Sequence, residues 1–209
     1  MANPTTFPGD LVVAGNVRVT GSISPLKNKS LVLAAESREQ VIPLTQWRTW
    51  DDIAVNLPAN PASDDLGLVS GTFATASPLI QTVDFGGTNT TGYARAQITV
   101  PQDYVAGQSF TLRFHAGCLT TLADTTLTLD CAVYRSDEEI GISADLCAAA
   151  VANNIKSLTY ADVDFAITAT AMNPGDILDV RVSINGVDAG NLGVMRGVIG
   201  ATKIVYFGR

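Results

Sequence analysis

Apolar residues recur at every second position through most of the chain after Leu66, and this period does more than anything else to limit what it can fold into. In residues 108–116, Phe110, Leu112 and Phe114 share one parity, and Thr111, Arg113 and His115 share the other. Residues 126–135 place Leu127, Leu129, Cys131 and Val133 together. Residues 161–169 do the same with Val163, Phe165 and Ile167, leaving Asp164 and Thr168 outside. In residues 177–184 the inward set is Leu178, Val180, Val182 and Ile184, with Asp179, Arg181 and Ser183 outward. Residues 92–100 give Ala94, Ala96, Ile98 and Val100 inward, and Arg95, Gln97 and Thr99 outward. A strict period of two is the pattern of strands that pack on one face and meet water on the other.

Three further segments, 66–75, 78–85 and 197–207, are apolar and rich in β-branched residues, which brings the expected strands to about eight. Turn chemistry separates them at Gly86-Gly87-Thr88-Asn89, Pro101-Gln102-Asp103, Asn173-Pro174-Gly175-Asp176 and Asn185-Gly186. The expected fold is all-β, a two-sheet β-sandwich of jelly-roll type. Helix is scarce, and residues 143–153 (SADLCAAAVAN) are its best candidate, as a short helix or as an irregular crossover with one helical turn.

The N-terminal part reads differently. Residues 10–24 hold two β-branched runs around Gly15-Asn16, which suggests a hairpin or an extended strand pair, and Pro25, Pro43, Pro58 and Pro61 then interrupt the chain. An isolated hairpin is marginal in water, so this stretch needs a surface to order it. The expected organisation is an extended arm over 1–57, followed by the sandwich over 58–209. Trp47 and Trp50 stand at the distal end of the arm, where large aromatics either fill a core or anchor a contact between subunits.

Charge divides along the same line. Residues 1–50 carry Arg18, Lys27, Lys29, Arg38 and Arg48 against Asp10, Glu36 and Glu39, whereas the remainder holds 8 Lys/Arg against 17 Asp/Glu. An acidic body opposes phosphate neutralisation, so no nucleic-acid partner is expected. A mildly basic arm suits an acidic neighbour, including another copy of the chain. Hydrophobic residues make up 46% and charged residues 16%, which excludes a disordered chain, and 209 residues are enough for one sizeable core. No apolar run approaches the roughly 18 residues that span a bilayer, so no membrane partner is expected. MANPTTFPGD has neither the basic nor the apolar region of a secretory signal.

Cys118, Cys131 and Cys147 show neither CxxC nor Cys/His spacing, and Cys131 falls on a buried parity. Free thiols fit assembly in a reducing cytoplasm better than a disulfide scaffold does. His115, the single histidine, lies on a wet parity beside Arg113 without a GxSxG elbow. The acid pairs Asp51-Asp52, Asp64-Asp65, Asp162/Asp164 and Asp137-Glu138-Glu139 sit beside turns and strand ends and lack EF-hand spacing. Phe85-Gly86-Gly87 opens no phosphate loop. The expectation is a protein with no enzymatic role, no cofactor and no metal.

Five stretches carry a family resemblance: FPGDLVVAGNVRVTGSISP, IPLTQWRTWDD, DDLGLVSGTFAT, ARAQITVPQDYVAGQSFTLRFHAG and MNPGDILDVRVSI. Together they resemble virion proteins of tailed bacteriophages, and most closely the capsid cement, or decoration, proteins built from an N-terminal arm and a jelly roll. That resemblance implies a homotrimer on the outer capsid surface, made in the host bacterial cytoplasm, whose arms clamp neighbouring capsomers of the major capsid protein. The residues then expected at subunit or capsid contacts are Val12, Val13, Val17, Arg18, Val19, Lys27, Lys29, Trp47, Arg48 and Trp50. Jelly rolls also serve as lectins, so the alternative is a tail-fibre or receptor-binding component with a carbohydrate-binding sandwich.

Overall fold

The computed structural model describes residues 35–61, 64–85, 89–123, 125–136, 138–169, 172–190 and 193–209. The chain divides into two units, Met1–Ala34 and Ala35–Arg209, and the described residues all belong to the second. That unit holds β1 (Glu36–Ile42), β2 (Gly67–Val69), β3 (Leu79–Gln81), β4 (Thr90–Thr99), β5 (Phe110–Cys118), β6 (Thr125–Arg135), β7 (Asn153–Asn154), β8 (Ala161–Ile167), β9 (Ile177–Asp188) and β10 (Gly197–Gly208).

These strands form two antiparallel sheets. One runs β2-β3-β10-β5-β8, with β1 also on β10, and the other runs β4-β9-β6-β7. β5 pairs with β10 along Gly197 to Tyr206, so β3 (at Val198 and Ile199) and β1 (from Thr202 to Gly208) share the opposite edge of β10. From β4 onward the long strands alternate between sheets, with β4, β6 and β9 in one and β5, β8 and β10 in the other. The result is the expected β-sandwich of jelly-roll type.

The alternation of the sequence becomes the core. Phe110, Leu112, Phe114, Leu127, Leu129, Val133, Phe165, Leu178, Val180, Val182 and Ile184 are all buried. Rings pack along the inner face of the β5–β8 pair, with Phe114 meeting Phe165 edge-on at 5.8 Å and Tyr104, from the loop before β5, meeting Phe110 edge-on at 5.5 Å.

Three expectations are corrected and a fourth is resolved between its alternatives. Residues 36–57, read as the distal part of the arm, are built into the sandwich: β1 pairs with β10 over its whole length, and Ile42, Trp47 and Leu57 join the core. Of the two forms expected for residues 143–153, the structure shows the irregular crossover with a single turn at 146–149, which Leu146 N–H holds against β6 by donating to the Val133 carbonyl at 2.7 Å. Asn185-Gly186 lies inside β9 and is not a turn. Finally, β2 and β3 are only three residues each, since Gly71 (φ 68°) and Ala74 (φ 64°) turn the chain out of the sheet between them.

Candidate functional site

The wet face of the β4-β9-β6 sheet presents rows of polar side chains, set by register. Tyr93, Ser183 and Asp130 form one row, Arg95, Arg181 and Ala132 the next, and Thr91, Asn185 and Thr128 a third. Most of these groups already have partners. Arg95 clamps Asp179 through two hydrogen bonds, one at 2.7 Å from Nε, and this contact raises the guanidinium's pKa. Asn185 Nδ2 donates to Asn89 Oδ1 at 2.6 Å and to Thr91 Oγ1 at 2.7 Å.

Two chain segments frame the free edge of β4. Arg48 exchanges backbone hydrogen bonds with Arg95, at 2.8 and 3.0 Å. Tyr93 N–H donates to the Asp64 carbonyl at 2.7 Å, and Leu66 N–H donates to the Tyr93 carbonyl at 2.8 Å. Trp47 and Leu66 drop into the core on either side, so the loop carrying Trp50 is held at two points. Trp50 is thereby set beside Tyr93, with centroids 5.3 Å apart and planes tilted by 47°. Its Nε1 donates to Asp64 Oδ2 at 3.1 Å. Across the pair, the Arg181 guanidinium stands 5.2 Å from the Tyr93 centroid, in cation–π contact. Both rings are half-buried and Arg181 is exposed. Partial burial, aided by the neighbouring Asp51 and Asp64 charges, pushes the Asp65 carboxyl pKa upward.

Trp50, Tyr93, Arg181 and Asp64 together make a surface with apolar faces, a guanidinium and a carboxylate within one ring's reach. Such a surface suits a polar ring-shaped ligand that has an apolar face.

The wet face of the opposite sheet is charged but compensated. Glu39 accepts from Lys203 Nζ at 2.8 Å and from Arg113 at 3.3 Å, while Arg113 also pairs with Asp164. His115 Nδ1 lies 2.8 Å from Asp162 Oδ1, with Tyr160 packed on the imidazole at 6.1 Å. Among the described residues, no cluster of three or more His, Cys, Asp or Glu has metal-holding geometry. Nor is any helix among them long and apolar enough to cross a membrane. A cleft of about 590 Å³ lies within the single loop from Ser70 to Pro78, whose Phe73 is 99% exposed. It shares no residue with the aromatic pair.

Of the residues singled out in the sequence, Val12, Val13, Val17, Arg18, Val19, Lys27 and Lys29 lie outside the described residues. Trp47 is buried to 1% and cannot reach a neighbour: its ring packs 6.0 Å from Phe114, and its Nε1 donates to Thr202 Oγ1 at 3.2 Å. Trp47 therefore fills the core, while Arg48 and Trp50 stay accessible at the β4 edge. The sequence reading missed Tyr93, which stands on the wet parity two residues before Arg95. Nothing in the sequence brings it to Trp50.

No protein-family model and no curated protein sequence matches the chain. Solved structures do resemble it in shape. A carbohydrate-binding module, TmCBM61, solved with beta-1,4-galactotriose, superposes with a TM-score of 0.43 at 11% identity, covering 78% of this chain and 90% of that one. The xylan-binding module CBM15 gives 0.43 at 11% identity, covering 82% and 97%. The enzymatically active domain of bacteriophage CBA120 tailspike protein 4 gives 0.42 at 12% identity, covering 77% of this chain and 19% of that one. At such identities and scores, these likenesses assign no function.

Proposed function

We propose that this protein is a non-catalytic glycan-binding β-sandwich, acting as a receptor-binding component of a phage particle. One observation carries the reading: the Trp50–Tyr93 ring pair on a wet sheet face, flanked by Arg181 and Asp64. A pyranose has an apolar face of C–H groups and a rim of hydroxyls. Stacked on the rings, it desolvates apolar area, while the guanidinium and carboxylate take the hydroxyls. A flat, open site of this kind holds a chain of sugars weakly and gains strength from repeated copies. The test is affinity electrophoresis of the full chain through gels cast with neutral plant or bacterial polysaccharides. Retardation by at least one polysaccharide, lost in Trp50→Ala and in Tyr93→Ala, supports the reading. Unretarded migration across the panel sinks it.

A second reading, the capsid cement protein, is favoured by the uneven charge. Residues 1–34 carry Arg18, Lys27 and Lys29 against Asp10, whereas the remainder is strongly acidic. In this reading the basic segment clamps the major capsid protein, and the chain works as a homotrimer on the outer shell. Copy number per particle separates the two: hundreds of copies point to the shell, and a few tens or fewer to the tail.

A further inference from the structure

After β6 the chain folds back alongside that strand. Ser143 N–H donates to the Arg135 carbonyl at 2.9 Å, and Leu146 N–H donates to the Val133 carbonyl at 2.7 Å. Asp145 Oδ1 accepts from Val133 N–H at 3.0 Å and from Cys147 N–H at 2.8 Å. The returning segment thus advances as β6 recedes, from Arg135 to Val133. The next inward position of β6 is Cys131, and the next residue of the segment is Cys147. On its other side the segment is tied towards β8, where Thr168 N–H donates to the Leu146 carbonyl at 2.9 Å and the Cys147 thiol points at the Ala166 carbonyl at 3.9 Å.

Both thiols are free and buried, at 5% and 2% exposure. The neighbouring Cys131 thiol lowers the Cys147 pKa. Burial first, and then the Cys147 thiol, raises that of Cys131. A disulfide bridges Cα atoms about 4.4–6.8 Å apart, a span that the crossover, hydrogen-bonded to β6 at Val133 and Arg135, is placed to meet. Cys118 has a different setting, on β5 in the other sheet, with its N–H donating to the Ser157 carbonyl at 2.9 Å.

We propose that Cys131 and Cys147 are a dithiol–disulfide pair that locks the returning crossover onto β6 when the protein meets an oxidising medium. With a glutathione-class disulfide as oxidant, the Cys147 thiolate attacks one sulfur and releases one glutathione thiolate. Cys131 then gives up its proton and displaces the second glutathione from the mixed disulfide. Two protein thiols are oxidised, one glutathione disulfide is reduced, and two glutathione thiols leave carrying the two protons. Because both sulfurs are buried, the reaction proceeds through local opening of the crossover.

The test is to unfold the reduced full chain and refold it in a glutathione redox buffer. The product is then alkylated and digested with a protease that cuts before aspartate. That cleavage separates residues 103–123, 130–136 and 145–161, one cysteine in each. A 130–136/145–161 disulfide, an alkylated Cys118 and a melting temperature raised by about 5 °C or more, reversed by dithiothreitol, are expected. Cys131→Ser should retain a glutathione adduct at Cys147. A link to Cys118, or three alkylated thiols in the refolded wild type, overturns the proposal, and both readings come from the wild-type chain even if a variant fails to fold.

Discussion

Arg113 on β5 grips Asp164 on β8 through two parallel hydrogen bonds, Nε to Oδ1 at 2.7 Å and Nη2 to Oδ2 at 2.8 Å. The guanidinium's hydrogen bonds, outweighing burial, hold the Asp164 pKa below its ordinary value. A carboxylate with a lowered folded-state pKa stabilises fully above its unfolded value, about 3.9, and loses that contribution as pH falls through the lowered value. Asp164→Asn is therefore expected to be less stable than wild type at neutral pH, with the gap closing under acid. Asp164 is exposed and Arg113 partly so, which screens the pair and keeps the gap small. Urea midpoints measured from pH 7 down to pH 2 check this, and a gap that stays constant in acid would show that charge is not its cause.

Gly186, near the C-terminal end of β9, faces the ring of Phe85: a Cβ built there lies 2.6 Å from two ring carbons. Phe85 is itself buried to 1%, so the ring has no room to move away. Gly186→Ala should cost about 1–3 kcal/mol in equilibrium unfolding, with part recovered by adding Phe85→Leu. An unchanged midpoint in the single variant would mean that the ring relaxes freely.

The same glycine marks where the sequence misleads. Asn-Gly is a strong hairpin signal, yet here the glycine answers to a ring packed on the strand, a long-range cause that local chemistry does not reveal. Parity did foretell the inward residues of β4, β5, β6 and β9, because each strand there has one buried face. β1 was hidden for the opposite reason. Of its seven residues only Ile42 is buried, so ESREQVI shows no apolar stripe, and its pairing with β10 is what makes it a strand. The candidate site was half legible. The tryptophans stood out, but Trp50 meets Tyr93 only because Arg48 bridges to Arg95 across a long stretch of chain.

If β1 and the Trp47 loop belong to the sandwich, truncation has a sharp threshold. Removing residues 1–34 leaves the β1–β10 ladder and the Trp47, Ile42 and Leu57 packing in place, so a cooperative transition should remain. Removing residues 1–57 exposes the edge of β10 and empties the Trp47 site, and no cooperative transition is expected. Thermal unfolding of both truncations decides it, and a well-folded product lacking 1–57 would return those residues to the arm.

The two tryptophans should part company under mutation. Trp47 is buried against Phe114 and hydrogen-bonded to Thr202, whose hydroxyl in turn donates to the Ile42 carbonyl at 2.7 Å. Trp47→Ala opens a cavity and removes the indole donor from that hydroxyl, at a cost of about 3–5 kcal/mol. Trp50 is half-buried on the wet face, and its alanine variant should stay within about 1 kcal/mol of wild type while losing polysaccharide binding. Urea unfolding read beside affinity electrophoresis separates the effects. If Trp50→Ala costs as much stability as Trp47→Ala, the Trp50–Tyr93 pair is a structural seal on the β4 edge, and the glycan site must lie elsewhere.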